Sequence, residues 1–449
     1  MDRKVAIIGA GISGLLACKY TLSKGFYPIV FESQSTVGGV WTKTVETTKL
    51  QTPKPVYQFS DFPWPESVSE DFPDGQKVFD YVNEYAKHFD LVKHIKFNTK
   101  VVGIEFEGPN DEEIQAWSLW GGNGEPFGSK GKWKVVVEDL VTLSTEIYNV
   151  DFVIVCVGRF SGLPNIPEFP PKKGPEAFDG KVIHSMEYAA MDHKQAAEFV
   201  KGKRVIVVGF QKSALDIVME CSAANGKSMH SFIHRAHWNV PDYLPWGFSL
   251  AHMYLSRFSE LMVHKPGEGL LLSLLATILA PLRYAYSKFV ESDIKKKLRL
   301  EKHGMVPTHS FLKEISSCLI STVPEKFYDK VENGEIKLKM APSFSFCNNG
   351  VLVEGETSPI EADLVILATG FKGEKMLKHI FMSQTFQDYI TGSPDAALPL
   401  YSQIRFGWVR VDQGMHSTKD TKTSSNRILR EYFKYIYLGD EMQMGSRAS

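Results

Sequence analysis

The sequence predicts an α/β protein with two Rossmann-like dinucleotide-binding domains and a helical insertion in the second. Three observations carry this. A strand–glycine-turn–helix unit, VAIIGAGISGLL, opens the chain at Val5, and a second, RVIVVGFQKSAL, begins at Arg204. From Asn239 to about Leu300 a Trp-, aromatic- and Leu-rich segment then interrupts the strand–helix rhythm. A length of 449 residues suits two or three domains of about 150 residues each.

The first unit covers residues 1 to about 42. It has a strand from Lys4 to Ile8, a turn at Gly9-Ala10-Gly11, a helix from Ile12 and a strand, PIVFE, ending at Glu32. The start of the chain, MDRKVAIIGAGISGLLAC, also imitates a lipoprotein signal: a basic start, an apolar run and a small residue before Cys18. The strand–turn–helix reading is preferred because it places Glu32 where a dinucleotide site needs an acid, and cleavage would destroy the turn. Residues 77–92 carry apolar side chains at helical spacing and predict an amphipathic helix. Gly108 to Lys132 is Gly-rich and acidic, an exposed hairpin connection, and the strands WKVVVED and FVIVCVG follow. FSGLPNIPEFPPKKGP, with five prolines, predicts an irregular interdomain linker. The second unit has a strand ending at Val208, a turn at Gly209 and a strand MHSFIH. EADLVILATGF, Glu361 to Phe371, predicts a buried strand closing on a glycine turn. The expected division is a first domain of 1–165 completed by 342–449, and a second of 166–341 whose insertion spans about 239–300.

Each turn has a physical task. Gly9 permits the bend, Gly11 lets the backbone approach a pyrophosphate, and Gly14 allows close helix packing. The helix start at Ile12-Ser13 presents free N–H groups and a positive dipole end to phosphate. Glu32, 18 residues beyond Gly14, is placed to accept from ribose hydroxyls and disfavours a 2′-phosphate, so FAD or NAD is expected rather than NADP. The second turn, Gly209 to Ala214, carries Gln211 where the middle glycine stands, which predicts a slightly more distant backbone. Ser213 and Ala214 open its helix and Asp216 follows on the first turn. After the next strand comes Arg235 rather than an acid, a guanidinium suited to the 2′-phosphate of NADPH. His234 and His237 flank it, either as polar side chains facing water or as additional contacts.

Composition narrows the remaining classes. A net charge of −1 suggests no nucleic-acid partner. The five cysteines, Cys18, Cys156, Cys221, Cys318 and Cys347, include no Cys-x-x-Cys pair, so neither a disulfide framework nor a metal site is expected. A reducing, cytoplasmic setting follows. Leu270 to Leu282, LLLSLLATILAPL, is the most apolar run. It stops at a proline, short of the roughly 17 residues needed to span a bilayer. Core or a channel cover is expected there, and with Arg283, Lys288 and Lys295 to Lys297 downstream, membrane contact is at most peripheral.

The stretch FDGKVIHSMEY, Phe178 to Tyr188, narrows function further. Its Phe-x-Gly, His and Tyr spacing resembles the identifying sequence of the flavin-containing monooxygenases. GGVW (Gly38 to Trp41), FSDFPWP (Phe59 to Pro65), CVGRFSGLPNIP (Cys156 to Pro167) and LATGF (Leu367 to Phe371, with Gly370) resemble further family segments in family order, and the spelling is most similar to plant members. The resemblance implies an FAD- and NADPH-dependent enzyme that forms a flavin hydroperoxide and passes one atom of molecular oxygen to a small amine or thioether. It implies that Gly39, Val40 and Trp41 run beside FAD. Gln51-Thr52 takes the place of a family Asn-Thr pair, so Gln51 is implied to contact flavin and nicotinamide. Tyr188, where related Baeyer–Villiger enzymes carry tryptophan, favours heteroatom oxygenation. The expected reaction is N-hydroxylation of a small amine or amino-acid-derived metabolite, with S-oxygenation as the alternative. A flavin-binding redox module that does not oxygenate is the alternative of another class. His184 is expected to be structural, since oxygen transfer from the cofactor needs no protein acid or base. The sequence does not disclose an oligomeric state.

Overall fold

In the computed structural model the described residues are 3–108, 131–158, 160, 162–225, 229–254, 256–264, 268–317, 319–372, 379–384 and 386–387. Contacts divide the chain into two units. The first comprises Met1–Thr42, Lys54–Leu163 and the chain from Phe371; the second comprises Lys43–Pro53 and Pro164–Gly370.

In the first unit, strands β1 (Lys4–Ile8), β2 (Tyr27–Phe31), β3 (Ile95–Lys96) and β7 (Phe152–Val155) form a parallel sheet in the order β3-β2-β1-β7. Val5, Ala6, Ile7 and Ile8 are all buried, as a strand covered on both faces requires. Helix α1 (Ile12–Ser23) follows β1. Helix α2 (Gly75–His88) begins two residues before the expected start because the Asp74 carboxylate accepts from Lys77 N at 2.9 Å. It ends before the expected stop, with Asp90 in the left-handed region at φ 54°. Val78, Tyr81, Val82, Tyr85 and Ala86 form its buried stripe. Strands β4 (Thr99–Glu107), β5 (Lys132–Asp139) and β6 (Thr145–Val150) make an antiparallel meander. The β4–β5 hairpin has the expected place, and its connection, 109–130, lies outside the described residues.

The second unit is built on a five-stranded parallel sheet. Its strands are β8 (Lys181–His184), β9 (Val205–Val208), β10 (Met229–Ile233), β11 (Ile336–Met340) and β15 (Leu364–Leu367), in the order β11-β10-β9-β15-β8. A small antiparallel sheet joins β12 (Phe344–Cys347), β13 (Gly350–Val353) and β14 (Ile360–Glu361). This corrects the expected return to the first domain at 342. The strand 364–367 lies between β9 and β8, so the chain leaves the second unit only after Gly370. The expected linker is irregular from Gly162 to Gly174.

The insertion holds the largest departure. The apolar run does not stop at Pro281 but forms the first half of a 28-residue helix, α5 (Leu270–Lys297), with Pro281 inside. Its first turns are not core: Leu270, Leu271, Leu274 and Ile278 are 92, 84, 61 and 64% exposed. Its second half is anchored by buried Ser287, Val290, Glu291, Asp293 and Ile294.

Candidate functional site

Each parallel sheet carries its glycine turn where the strand order reverses. In the first unit Gly9 N donates to Phe31 O while Cys156 N donates to Ile8 O. In the second Gly209 N donates to Phe232 O and Ala368 N to Val208 O. The two sites are thus built by the same hydrogen bonds on different residues. In open parallel sheets this reversal opens the crevice in which ligands bind.

At the first turn Gly9 has φ +101°, and a Cβ there would sit 2.5 Å from Cys156 O. A Cβ on Gly14 would lie 1.8 Å from Gly9 O, so the start of α1 packs on the turn only through a bare backbone. Gly11 differs. A Cβ there would meet only the Gly39 backbone, at 3.4 Å, and its φ of −72° suits any residue. What glycine keeps open at 11 is room for a group outside the protein, which fits a pyrophosphate. Gly11 is the N-cap of α1 with no side-chain hydrogen bond, which leaves the N–H groups of its first turn, with Ile12 and Ser13, facing outward from the helix end. The GGVW segment reaches the same place: Gly38 N donates to Ala10 O, and Gly39 approaches Gly11. Val40 is exposed, and Trp41 Nε1 donates to Tyr57 Oη at 2.7 Å.

Glu32 is 6% exposed. Its Oε2 accepts from Ala10 N at 2.6 Å and its Oε1 from Gln34 N at 2.8 Å. Ser33 Oγ also donates to Oε1, at 3.4 Å. The carboxylate therefore ties the end of β2 to the glycine turn, and Oε2, with one donor among the described residues, keeps a lone pair for another.

In the second unit Gly209 has φ +135°, with Ala368 O 2.5 Å from where a Cβ would be. Ala214, at the third glycine position, is buried and faces Gly209. Gln211 Nε2 donates to Leu319 O at 3.2 Å, so its side chain is engaged with a distant segment of the unit. Ser213 is exposed at the start of helix α4 (Lys212–Asn225). Asp216 requires a correction. It was expected among the cofactor contacts, but its carboxylate is 1% exposed and faces inward. Its Oδ1 holds Lys212 Nζ at 2.6 Å and its Oδ2 accepts from Thr48 Oγ1 at 3.0 Å. Burial pushes this carboxyl up to about 6, against the pull of Lys212 and Thr48.

Asp216 also explains why 43–53 groups with the second unit. Thr48 bonds to Asp216 and Thr47 N donates to Glu220 Oε1 at 3.0 Å, so this loop is fastened to α4. It carries Gln51-Thr52. Gln51 Oε1 accepts from Thr322 N at 3.3 Å, which fixes the amide's orientation and leaves Nε2 without a hydrogen bond among the described residues.

Arg235 lies just beyond β10, exposed, with no hydrogen bond or ion pair among the described residues. It is a solvated guanidinium ready for an anion. Its neighbours are committed: His234 Nδ1 bonds to Pro342 O at 2.7 Å and His237 Nδ1 to Glu314 Oε1 at 2.7 Å. Trp238, just before the aromatic-rich insertion, is 2% exposed and belongs to the core.

His184 has a structural role. It caps helix α3 (Ser185–Ala189), its Nδ1 accepting from Met186 N at 3.1 Å while the Glu187 carboxylate accepts from His184 N. Its Nε2 lies 3.0 Å from Gly370 O, which makes Nε2 the protonated nitrogen. Burial lowers its pKa, consistent with a neutral ring. Gly370 (φ +81°) also accepts from Asn165 N, which pins the glycine turn after β15. Tyr188 is buried in the core of the second unit. Sequence reasoning missed the two histidines on Glu314: His309 is five residues from it, but His237 is 77 residues away, beyond any local pattern.

Residues 2–388 match the sequence family described as flavin-binding monooxygenase-like. The chain is 38% identical over 446 residues to the probable flavin-containing monooxygenase 1 of Arabidopsis thaliana, covering 96% of this chain and 83% of the relative. It is 29% identical to human flavin-containing monooxygenase 2, covering 99% and 79%. Among solved structures, cyclohexanone monooxygenase in an open form matches with a TM-score of 0.58 at 17% identity, covering 85% of this chain and 76% of that one. OTEMO in complex with FAD and NADP matches with a TM-score of 0.57 at 19% identity, covering 85% and 74%. These structural likenesses speak to the fold.

Proposed function

We propose that this chain, which belongs to the flavin-binding monooxygenase-like family, holds FAD in its first unit and NADPH in its second, and hydroxylates nitrogen in a small amine or amino-acid-derived metabolite. The family makes it an FAD- and NADPH-dependent monooxygenase of plant type, consuming molecular oxygen.

One observation carries the assignment of cofactors to sites. After the second strand, the first unit presents a carboxylate, Glu32, bonded to the turn, and the second presents a guanidinium, Arg235, with no partner among the described residues. A carboxylate repels a 2′-phosphate and accepts from ribose hydroxyls; a guanidinium binds that phosphate bidentately. When bound, FAD reduced by NADPH supplies the oxygen-activating chemistry.

The chain's own residues bind and orient. Gly9, Gly11 and Gly14, with the N–H groups at Ile12 and Ser13, receive the FAD pyrophosphate. Glu32 takes its ribose, and Gly39, Val40 and Trp41 run along it. Gly209, Ser213 and Ala214 receive the NADPH pyrophosphate, and Arg235 its 2′-phosphate. Gln51 offers its free Nε2 as a donor to flavin or nicotinamide, with Thr52 beside it. Asp216 serves indirectly by fastening this loop to α4. Gly370 shapes the end of the second unit.

Nitrogen is favoured over a ketone by Tyr188, where Baeyer–Villiger relatives carry tryptophan. It is favoured over sulfur by likeness to a rabbit relative named as an N-oxide-forming dimethylaniline monooxygenase, 28% identical over 386 residues. The test is a turnover with isotopically labelled dioxygen, NADPH and a panel of amines, amino acids, thioethers and cyclic ketones. Label on nitrogen is the expected product. Label on sulfur alone moves the assignment to S-oxygenation, and labelled lactone from a ketone moves it to carbon–carbon insertion.

A cytoplasmic enzyme touching a lipid surface is the corresponding reading of α5. Leu270, Leu271, Leu274 and Ile278 leave an uncharged apolar face in water, followed by Arg283 and Lys288. Sedimentation with anionic vesicles should carry the protein down and should be lost in Leu271→Ser/Leu274→Ser. Equal sedimentation of both proteins rejects it.

A further inference from the structure

We propose that Glu314 and His237 are positioning residues that set the choice of NADPH over NADH by holding the loop that carries Arg235. The inference rests on the assignment of Arg235 to the 2′-phosphate and extends it to residues that do not touch the cofactor.

Glu314 lies on helix α6 (Phe311–Ser316), and its side chain is 0% exposed. Both oxygens are taken: Oε1 by His237 Nδ1 at 2.7 Å and Oε2 by His309 Nε2. Burial alone would raise this carboxyl; hydrogen bonds from the two imidazoles outweigh it and hold the group below its ordinary value. The group is thus an anion, and an anion accepts only, so His237 donates from Nδ1 and His309 from Nε2. A buried carboxylate with two imidazole donors is a costly arrangement to leave half-made, because either remaining partner would be stranded in the core.

The clamp falls two residues from Arg235, whose guanidinium has no partner of its own among the described residues. A long side chain in solvent cannot set where its head group waits; its backbone must. That backbone is tied on both sides. His234 Nδ1 bonds to Pro342 O before it and His237 to Glu314 after it. Trp238 Nε1 then donates to His309 O at 2.6 Å, and Asn239 Nδ2 to Phe210 O at 2.9 Å. Phe210 belongs to the glycine turn. Ser321 Oγ completes the set by donating to Asn239 Oδ1, and Gln211 Nε2 reaches Leu319 O. His309, Glu314, Leu319 and Ser321, close together in sequence, therefore fix the pyrophosphate turn and the Arg235 loop against each other. They set the spacing between the two ends of one dinucleotide. NADH needs only the turn; NADPH needs both. Loosening the clamp therefore penalises the phosphorylated cofactor selectively.

The experiment uses the full-length flavoprotein and measures flavin reduction by NADPH and by NADH, as KM and as rate at saturation. In His237→Ala the NADPH KM should rise roughly tenfold, within the range seen for residues that act without ligand contact. The NADH KM, the saturated rate and the flavin content should stay at wild-type values. His237→Asn keeps a donor near the position of Nδ1 and should restore most of the preference. Glu314→Gln, which cannot accept from both imidazoles in the same way, should reproduce the alanine result. An unchanged NADPH:NADH ratio in His237→Ala, or an equal loss for both cofactors, overturns the inference. If wild-type protein shows no preference, or Arg235→Ala leaves the preference intact, the assignment of Arg235 itself fails. If Arg235→Ala abolishes the preference while His237→Ala spares it, only the positioning role fails.

Discussion

Two glycines three residues apart should fail in different ways when each gains one methyl group. At Gly14 the new Cβ would lie 1.8 Å from Gly9 O and 2.8 Å from Gly9 C. Ordinary contact is roughly 3.5 Å, so the helix start must retreat by more than 1 Å from a buried strand. Overpacking of a core typically costs about 1–3 kcal/mol, and a clash with backbone belongs at or above the top of that range. At Gly11 the Cβ would meet the Gly39 backbone at 3.4 Å with φ at −72°, so the folded chain tolerates it. The loss there is the N-cap advantage of glycine over alanine, about 1 kcal/mol. Its effect on the cofactor is larger. A methyl held where the pyrophosphate approaches removes on the order of two charge-assisted bonds, about 3 kcal/mol or more, hence over a hundredfold in Kd for FAD. Thermal unfolding of flavin-stripped proteins and fluorescence titration with FAD separate the two effects. Gly11→Ala should unfold near the wild-type temperature and bind FAD poorly; Gly14→Ala should unfold well below it. Wild-type FAD affinity in Gly11→Ala, or equal apoprotein stabilities for the two variants, refutes the reasoning.

Other outcomes follow from the second unit. Arg235→Ala should weaken NADPH by about 1.5–3 kcal/mol, one to two decades in Kd, and leave NADH nearly untouched, as read by equilibrium titration; equal weakening refutes it. Asp216 has a folded pKa of about 6, raised above the unfolded value of about 3.9. A raised pKa means that its contribution is fully present below pH 3.9 and is lost as pH climbs through 6. Unfolding of Asp216→Asn between pH 4 and 7 should therefore lack a wild-type loss of at most about 3 kcal/mol, and parallel curves would exclude it. Gln211→Gly should release Leu319 O and lower stability by about 0.5–1.5 kcal/mol in chemical denaturation. No change would mean that this bond is not held in solution.

What was legible in the sequence was local. The strand from Lys4 to Ile8 and the helix from Ile12 follow from an apolar run, a glycine turn and a single helical start, all within a dozen residues. Glu32 is found by counting to the end of the next strand. What escaped notice was either nonlocal or a tolerated violation of a local rule. The strand Leu364–Leu367 looks the same in either sheet, and only its pairing with β8 and β9 places it in the second. Pro281 removes one helix hydrogen bond, yet the anchored second half of α5 carries the helix through it. Asp216 sits on the first turn of the helix that follows the second glycine turn, and only burial reveals that it faces Thr48 and Lys212. The Glu314 clamp joins His237, His309 and a short helix that no periodicity connects.

The central claim is that one chain holds FAD at the Glu32 site and takes electrons from NADPH read by Arg235. Anaerobic mixing of the purified flavoprotein with NADPH or NADH, followed by the flavin absorbance, tests it most directly. Bound FAD should bleach at far lower NADPH than NADH, and Arg235→Ala should erase the difference. Protein that stays colourless after reconstitution with excess FAD, or flavin that NADPH fails to bleach, contradicts it.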